Sequence, residues 1–103
     1  MRDLYRDFLT DARESLAVLR TACAQHEPDT FREKAHYLKS STSVLGMRSL
    51  AQVCAAMDEM GKTENLLRAS EEVDEAERLL DEIERELARR LGPDVVPKSN
   101  AAA

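Results

Sequence analysis

From Ala69 to Leu87, apolar residues recur at alternating steps of four and three through Val73, Ala76, Leu80 and Ile83. On an α-helix this spacing lines a single side, whereas on a strand it would scatter the same residues over both faces. It predicts a long helix from about Glu64 or Ser70 to Arg90, with an apolar seam that must be covered by another element. Glu77, Arg78, Asp81, Glu82, Arg85 and Arg89 fall on the other faces as a solvated surface, with Asp81 and Arg85 spaced for an i, i+4 pair. Gly92 and Pro93 stop the pattern.

Three more segments share this period. The first runs from about Asp3 to Ala24, with Leu4, Phe8, Ala12, Leu16, Leu19 and Cys23 on its inward side. Gln25, His26 and Glu27 are polar, and Pro28 disfavours helical geometry in the residue before it, so a short connection is expected there. Thr30 with Glu33 three residues later matches a capping box and predicts the start of the second helix. That helix carries Phe31, Ala35, Leu38, Thr42 and Leu45 on one face and closes at Gly46, where a left-handed backbone suits glycine. A third helix begins near Arg48 or Ser49, turns Leu50, Val53, Cys54, Met57 and Met60 inward, and is expected to end at Gly61. Its methionines read as core filler. None of the four helices can bury its apolar side alone, and the connections are short. The fold class predicted is therefore all-α, an antiparallel up-and-down four-helix bundle. Residues 1–92 form the domain, and 93–103, without periodicity and ending in three alanines, are expected to be a disordered tail or a cloning remnant.

A chain of 103 residues supports one core and one site. Few β-branched or aromatic residues argue against sheets, and no apolar run approaches the roughly 20 residues that span a bilayer. A cytoplasmic protein with no membrane contact is expected. Cys23 and Cys54 fall on apolar helix faces and read as buried free thiols; without a CxxC pair or a second nearby histidine, no metal site is expected. The net charge of −5 hides an asymmetry. Between Arg32 and Arg48 four cations face one anion, a net +3 that leaves −8 for the remainder. Acidic residues elsewhere make nucleic acid a poor partner, because a phosphate backbone requires a broader basic surface. A phosphorylated or acidic partner site fits the basic island better.

At the centre of that island stands His36. Arg32, Glu33, Lys39, Ser40 and Ser43 share its polar stripe, with Arg32 one turn before and Lys39 and Ser40 one turn after. The ring is expected to point to water from a regular helix, which holds it more firmly than a loop would. An imidazole in water is mostly neutral at pH 7, so a ring nitrogen has a lone pair available for attack on phosphorus. Lys39 can offset the charge that arrives with a phosphoryl group, and the small Ser40 and Ser43 leave room for a partner's active site and can donate hydrogen bonds. His26 has no such surroundings and is assigned no role. Ser41 and Thr42 read as packing or helix hydroxyls.

The run His36, Leu38, Lys39, Ser41 and Gly46 resembles the H-x-L-K-G-S-x-x-x-x-G signature of histidine phosphotransfer domains, the four-helix carriers of multistep phosphorelays. Phe31 and Ala35 match the apolar positions before the family's histidine, while Leu50 and the MDEM segment around Asp58 resemble its third helix, where an acidic residue is usual. The resemblance implies that His36 accepts a phosphoryl group on Nε2 and exchanges it with the aspartate of a response-regulator receiver domain. Lys39 would assist beside the phosphate and Gly46 would be a close-packed turn. It also implies a phosphocarrier without kinase activity or cofactor of its own, with Mg²⁺ on the partner receiver and a hybrid sensor histidine kinase as a further partner. One departure is Ser40, where the family usually has glycine; altered partner choice or rate is the expected consequence.

Two alternatives come from other classes. In one, the chain is a helical interaction module that dimerises through the Ala69 to Leu87 seam, with His36 incidental. In the other, it is a histidine kinase dimerisation domain, or the phosphotransfer domain of a chemotaxis-type kinase, phosphorylated by an ATP-binding domain elsewhere. A monomer is expected for the carrier.

Overall fold

The computed structural model describes residues 2–97. Four helices, α1 (Arg2–Ala24), α2 (Pro28–Val44), α3 (Arg48–Lys62) and α4 (Ala69–Leu91), are followed by a single 3₁₀ turn at Pro93–Val95. α1 packs on α2 and α4, and α3 packs on α2 and α4, while the diagonal pairs do not meet. Links of three, three and six residues join successive helices, so each neighbour runs back along the one before it. This is an up-and-down four-helix bundle, as its sequence pattern predicts.

The core is the set of apolar stripes closing on one another. Leu9, Leu19, Phe31, Leu38, Leu50, Met57, Val73 and Leu80 are fully buried, and each such side chain contributes about 1.5–3 kcal/mol by leaving water. Ala69, Val73, Ala76 and Leu80 of the α4 seam all lie in this core, with Ile83 and Leu87 packed at its edge. The seam predicted from the sequence is therefore covered by the other helices of the same chain. One inward assignment on α1 fails and one holds in part: Cys23 packs against the core but is not fully buried, whereas Leu4 lies outside it. Leu4 is 52% exposed because it lies one turn outside the buried stretch, and Cys23 is only half-buried near the end of its helix. Cys54 is fully buried, and burial pushes its thiol up to about 12.

The helix ends follow a shared device. After α1, α2 and α3, the Glu27, Met47 and Asn65 amides bond back to the Ala22, Thr42 and Met60 carbonyls, the six-to-one bond of a Schellman turn. The left-handed residue is His26, Gly46 and Glu64 respectively. His26 thus ends α1 and stands away from the site. The Thr30 capping box is not formed. Helix α2 starts at Pro28, with Glu27 as N-cap and no side-chain cap bond. Proline's fixed φ and missing N–H suit the first helical position, so Pro28 opens the helix and draws Thr30 into its first turn.

Gly61 does not end α3 but lies buried inside it, at the crossing with α2. A Cβ there would fall 2.6 Å from Arg32 Cβ and 2.9 Å from Arg32 N, so only glycine lets the two backbones approach this closely. Asp81 pairs across to Arg13 of α1 at 2.6 Å instead of with Arg85; Arg13 also reaches Glu84, and Arg20 reaches Asp74 and Glu77. Order continues past residue 92. Val95 is buried, and Arg2 and Arg6 donate to the Leu91 and Asp94 carbonyls at 2.9 and 3.1 Å. The long-range arginine contacts hold Pro93–Val95 against α1, so the expected tail is structured at its start. The rest of that expectation, residues 98–103, lies outside the described residues.

Candidate functional site

Helix α2 presents His36 on its solvent side, with the ring 62% exposed. The face is set by its neighbours. Phe31, Ala35, Leu38 and Thr42 are buried at helical spacing, which turns the intervening Arg32, His36, Ser40 and Ser43 outward. The Thr42 hydroxyl donates to the Leu38 and Lys39 carbonyls at 2.9 and 3.0 Å, and Ser41 donates to Tyr37 at 3.2 Å. Both are helix hydroxyls, as read from the sequence.

Beneath the ring stands Asp58 of α3. Its Oδ2 lies 3.3 Å from His36 Nδ1 and 3.5 Å from Lys39 Nζ, and its Oδ1 lies 3.6 Å from Arg32 Nε. The Asp58 side chain is only 16% exposed, and Oδ1 is buried without a hydrogen bond. Burial pushes this carboxyl up, but the His36 bond and the His36 and Lys39 charges outweigh it and hold Asp58 below its ordinary value. An ionised carboxylate accepts only, so Nδ1 is the donor. With the proton on Nδ1, the lone pair is left on Nε2.

The structure therefore gathers His36, Lys39 and Arg32 around one anion, Asp58. Ser40 is exposed one turn beyond His36 and borders a groove between α1 and α2, whereas Ser43 is exposed further along the helix. On the other side, Asp29, Arg32, Glu33 and His36 line an open hollow of about 680 Å³, space for an incoming group. Gly46 has a φ of +73° and nothing within 4 Å of a built Cβ. Backbone conformation requires it, not the close packing that the resemblance implied; the close-packed glycine is Gly61. Among the described residues no group of three or more His, Cys, Asp or Glu side chains could hold a metal ion, and no helix is long and apolar enough to cross a membrane.

Asp58 is the residue that sequence reasoning noted only as usual and gave no role. A signal existed: His36 and Asp58 lie eleven residues on either side of Met47. A hairpin of two antiparallel helices turned at Gly46 and Met47 brings such positions level.

An exposed imidazole, oriented through one nitrogen by a buried carboxylate and flanked by two cations, defines a histidine-presenting helical bundle. The family model for the Hpt domain matches residues 3–91, nearly the whole of all four helices, and the chain belongs to that family. Such domains serve histidine phosphotransfer in phosphorelays; they are phosphocarriers and not kinases, and their partners are two-component proteins such as receiver domains or kinases. No curated protein and no solved structure matches the chain.

Proposed function

We propose that His36 accepts a phosphoryl group on Nε2 from the aspartyl phosphate of a receiver domain and returns it to a receiver aspartate. The observation that carries this reading is the 3.3 Å approach of His36 Nδ1 to the Asp58 carboxylate beneath an exposed ring. In the forward step the Nε2 lone pair bonds to phosphorus, the bond from phosphorus to the aspartyl oxygen breaks, and the receiver carboxylate leaves with its electron pair. The ring gains one positive charge, and Asp58 stands where that charge is shared through Nδ1–H, so it orients the nucleophile and favours the product together.

Lys39 and Arg32 offset the phosphoryl charge from the two sides of the ring. Asp58 holds the ammonium of Lys39 near the phosphate position before transfer. Ser40 and Ser43 keep the approach low and polar for the incoming receiver. Nothing in the step requires a nucleotide or metal from this chain. Mg²⁺ belongs to the receiver's acidic pocket, and phosphoryl transfer depends mainly on positioning and charge neutralisation. The basic island faces that pocket, so transfer should slow as added salt screens the encounter.

The test is single-turnover transfer from phosphorylated receiver domains, with a kinase's ATP-binding domain as an alternative donor. Wild type is expected to take up acid-labile, base-stable label and His36→Gln none. Lys39→Ala should slow transfer by about tenfold, equivalent to roughly 1.4 kcal/mol of transition-state stabilisation, with an unchanged melting profile. Equal rates would remove Lys39 from the mechanism. Label on the His36→Gln protein would remove His36.

A further inference from the structure

The open hollow beside His36 is lined by two carboxylates, Asp29 and Glu33, as well as by Arg32. Asp29, Glu33 and His36 follow one another at steps of four and three on α2, so they share one face of the helix. Arg32 turns its Nε toward Asp58 of α3, at 3.6 Å. Among the described residues the ion pairs around the ring all converge on Asp58, and neither Asp29 nor Glu33 joins one.

Asp29 has a reason for its place. It stands in the first turn of α2, where negative charge complements the helix dipole. Glu33 lies beyond that turn. The capping box that would have used its carboxylate is not formed, its neighbour one turn back is the like-charged Asp29, which disfavours the helix, and the side chain is exposed. No partner in the fold accounts for Glu33, yet it lines the space onto which His36 opens.

A phosphoryl group at that place meets this carboxylate. Asp58 takes Nδ1, and the two nitrogens of an imidazole point roughly opposite ways, so a group on Nε2 enters the open side of the ring. It carries roughly two negative charges. Side chains three apart on a helix have their Cβ atoms roughly 5–6 Å apart, inside the Debye length of about 8 Å at physiological salt. Repulsion from Glu33 therefore reaches the phosphoryl group.

We propose that Glu33 sets the transfer potential of phosphorylated His36: its carboxylate repels the bound phosphoryl group, raises the free energy of the phosphorylated carrier and shifts the equilibrium toward delivery to a receiver aspartate. This rests on the reading of His36 as a phosphocarrier. In delivery the bond from phosphorus to Nε2 breaks and its electron pair returns to the ring. A receiver carboxylate oxygen bonds to phosphorus, and the Nδ1 proton stays where it is. The ring is neutral again, and the repulsion is relieved. Lys39 and Asp58 act in the opposite sense, since they stabilise the phosphate and the positive ring. Glu33 offsets part of that stabilisation, so the carrier hands its phosphate on instead of storing it.

The test is the equilibrium constant for phosphoryl exchange between the full chain and a receiver domain, approached from both directions before hydrolysis intervenes. Wild type is compared with Glu33→Gln, Glu33→Ala and Glu33→Lys, and direct labelling of His36 by phosphoramidate is followed in parallel. This constant relates the free proteins and does not depend on how tightly they dock. A residue that only touches the receiver changes rates and leaves it fixed. Glu33→Gln and Glu33→Ala are each expected to shift it toward the phosphorylated carrier by about threefold, and Glu33→Lys by about tenfold. The shifts should shrink at about 1 M salt, where the Debye length falls to about 3 Å. An unchanged constant in all three variants, with labelling intact, overturns the role of Glu33 and leaves the phosphocarrier reading in place. A shift that persists undiminished in high salt assigns it to structure instead of charge and overturns the inference too. Wild-type protein labelled neither by phosphoramidate nor by any receiver overturns the phosphocarrier reading and the inference with it.

Discussion

Replacing Gly61 by alanine is expected to damage both fold and site. The added Cβ would sit 2.6 Å from Arg32 Cβ, 2.8 Å from Arg32 Cα and 2.9 Å from Arg32 N. Two of these three atoms are backbone, so no rotamer change relieves the clash and α2 must move away from α3. Overpacking of this kind costs roughly 1–3 kcal/mol, which for a domain of this size lowers Tm by about 4–8 °C for each kcal/mol. The displacement falls where it matters: Arg32 is one turn before His36, and Gly61 is three residues after Asp58. Receiver-dependent labelling should therefore slow at temperatures where the variant is still folded. Gly46→Ala is the contrasting case. Its site is open but its φ is +73°, so it should lose about 1–2 kcal/mol of stability and keep its transfer rate. Thermal melting beside single-turnover kinetics separates the two, and a Gly61→Ala protein that melts and transfers like wild type would contradict the close crossing.

Asp58→Ala is expected to slow phosphoryl transfer on the order of a hundredfold, as when an imidazole loses the carboxylate that sets its tautomer and shares its developing charge. Two effects oppose each other in this variant. Lys39 and Arg32 lose their anion and become freer to meet the phosphate, but neither can restore the proton to Nδ1. The orientation loss should win. Nitrogen-15 NMR of the His36 ring reads this directly: Nδ1 protonated in wild type, and an increased share of the Nε2-protonated tautomer in the variant. Asp58→Glu should recover part of the rate, which a merely structural role would not explain. Because His36 and Lys39 overcome the burial penalty and depress the Asp58 pKa, its stabilising contribution is fully present above the ordinary aspartate range, about 4. That contribution is lost as pH falls through the lower folded value, so Asp58→Ala should flatten the acid limb of the stability profile. An unaltered rate and tautomer in Asp58→Ala would remove it from the mechanism.

The helices were legible because their apolar residues repeat at the helical period, and the bundle was legible because four such stripes joined by short links have few ways to close. His36, Lys39 and Arg32 could be placed on one face from spacing alone. What spacing could not supply was the register between helices. Asp58 reaches His36 because α3 lies antiparallel to α2, and a carboxylate in MDEM is locally indistinguishable from any solvated acid. Gly61 reads as a helix end and proves to be a close crossing, since a glycine near a helix end reads alike whether it turns the chain or admits a neighbour, whereas Gly46 keeps the left-handed turn expected of it. Pro28 was ambiguous between a stop and a first helical residue. Val95 finds its place where its turn packs on α4 and on α1 at the far end of the sequence, with Arg2 and Arg6 bonded to the flanking carbonyls.

The central claim is that Nε2 of His36 is the phosphorylated atom, because Asp58 occupies Nδ1. The most direct measurement is phosphorus-31 and nitrogen-15 NMR of the chain, with its histidines labelled, after transfer from a phosphorylated receiver. A single acid-labile phosphate coupled to Nε2 of His36, with Nδ1 still protonated, is the predicted result. Phosphate on Nδ1, or on any residue other than His36, would contradict it.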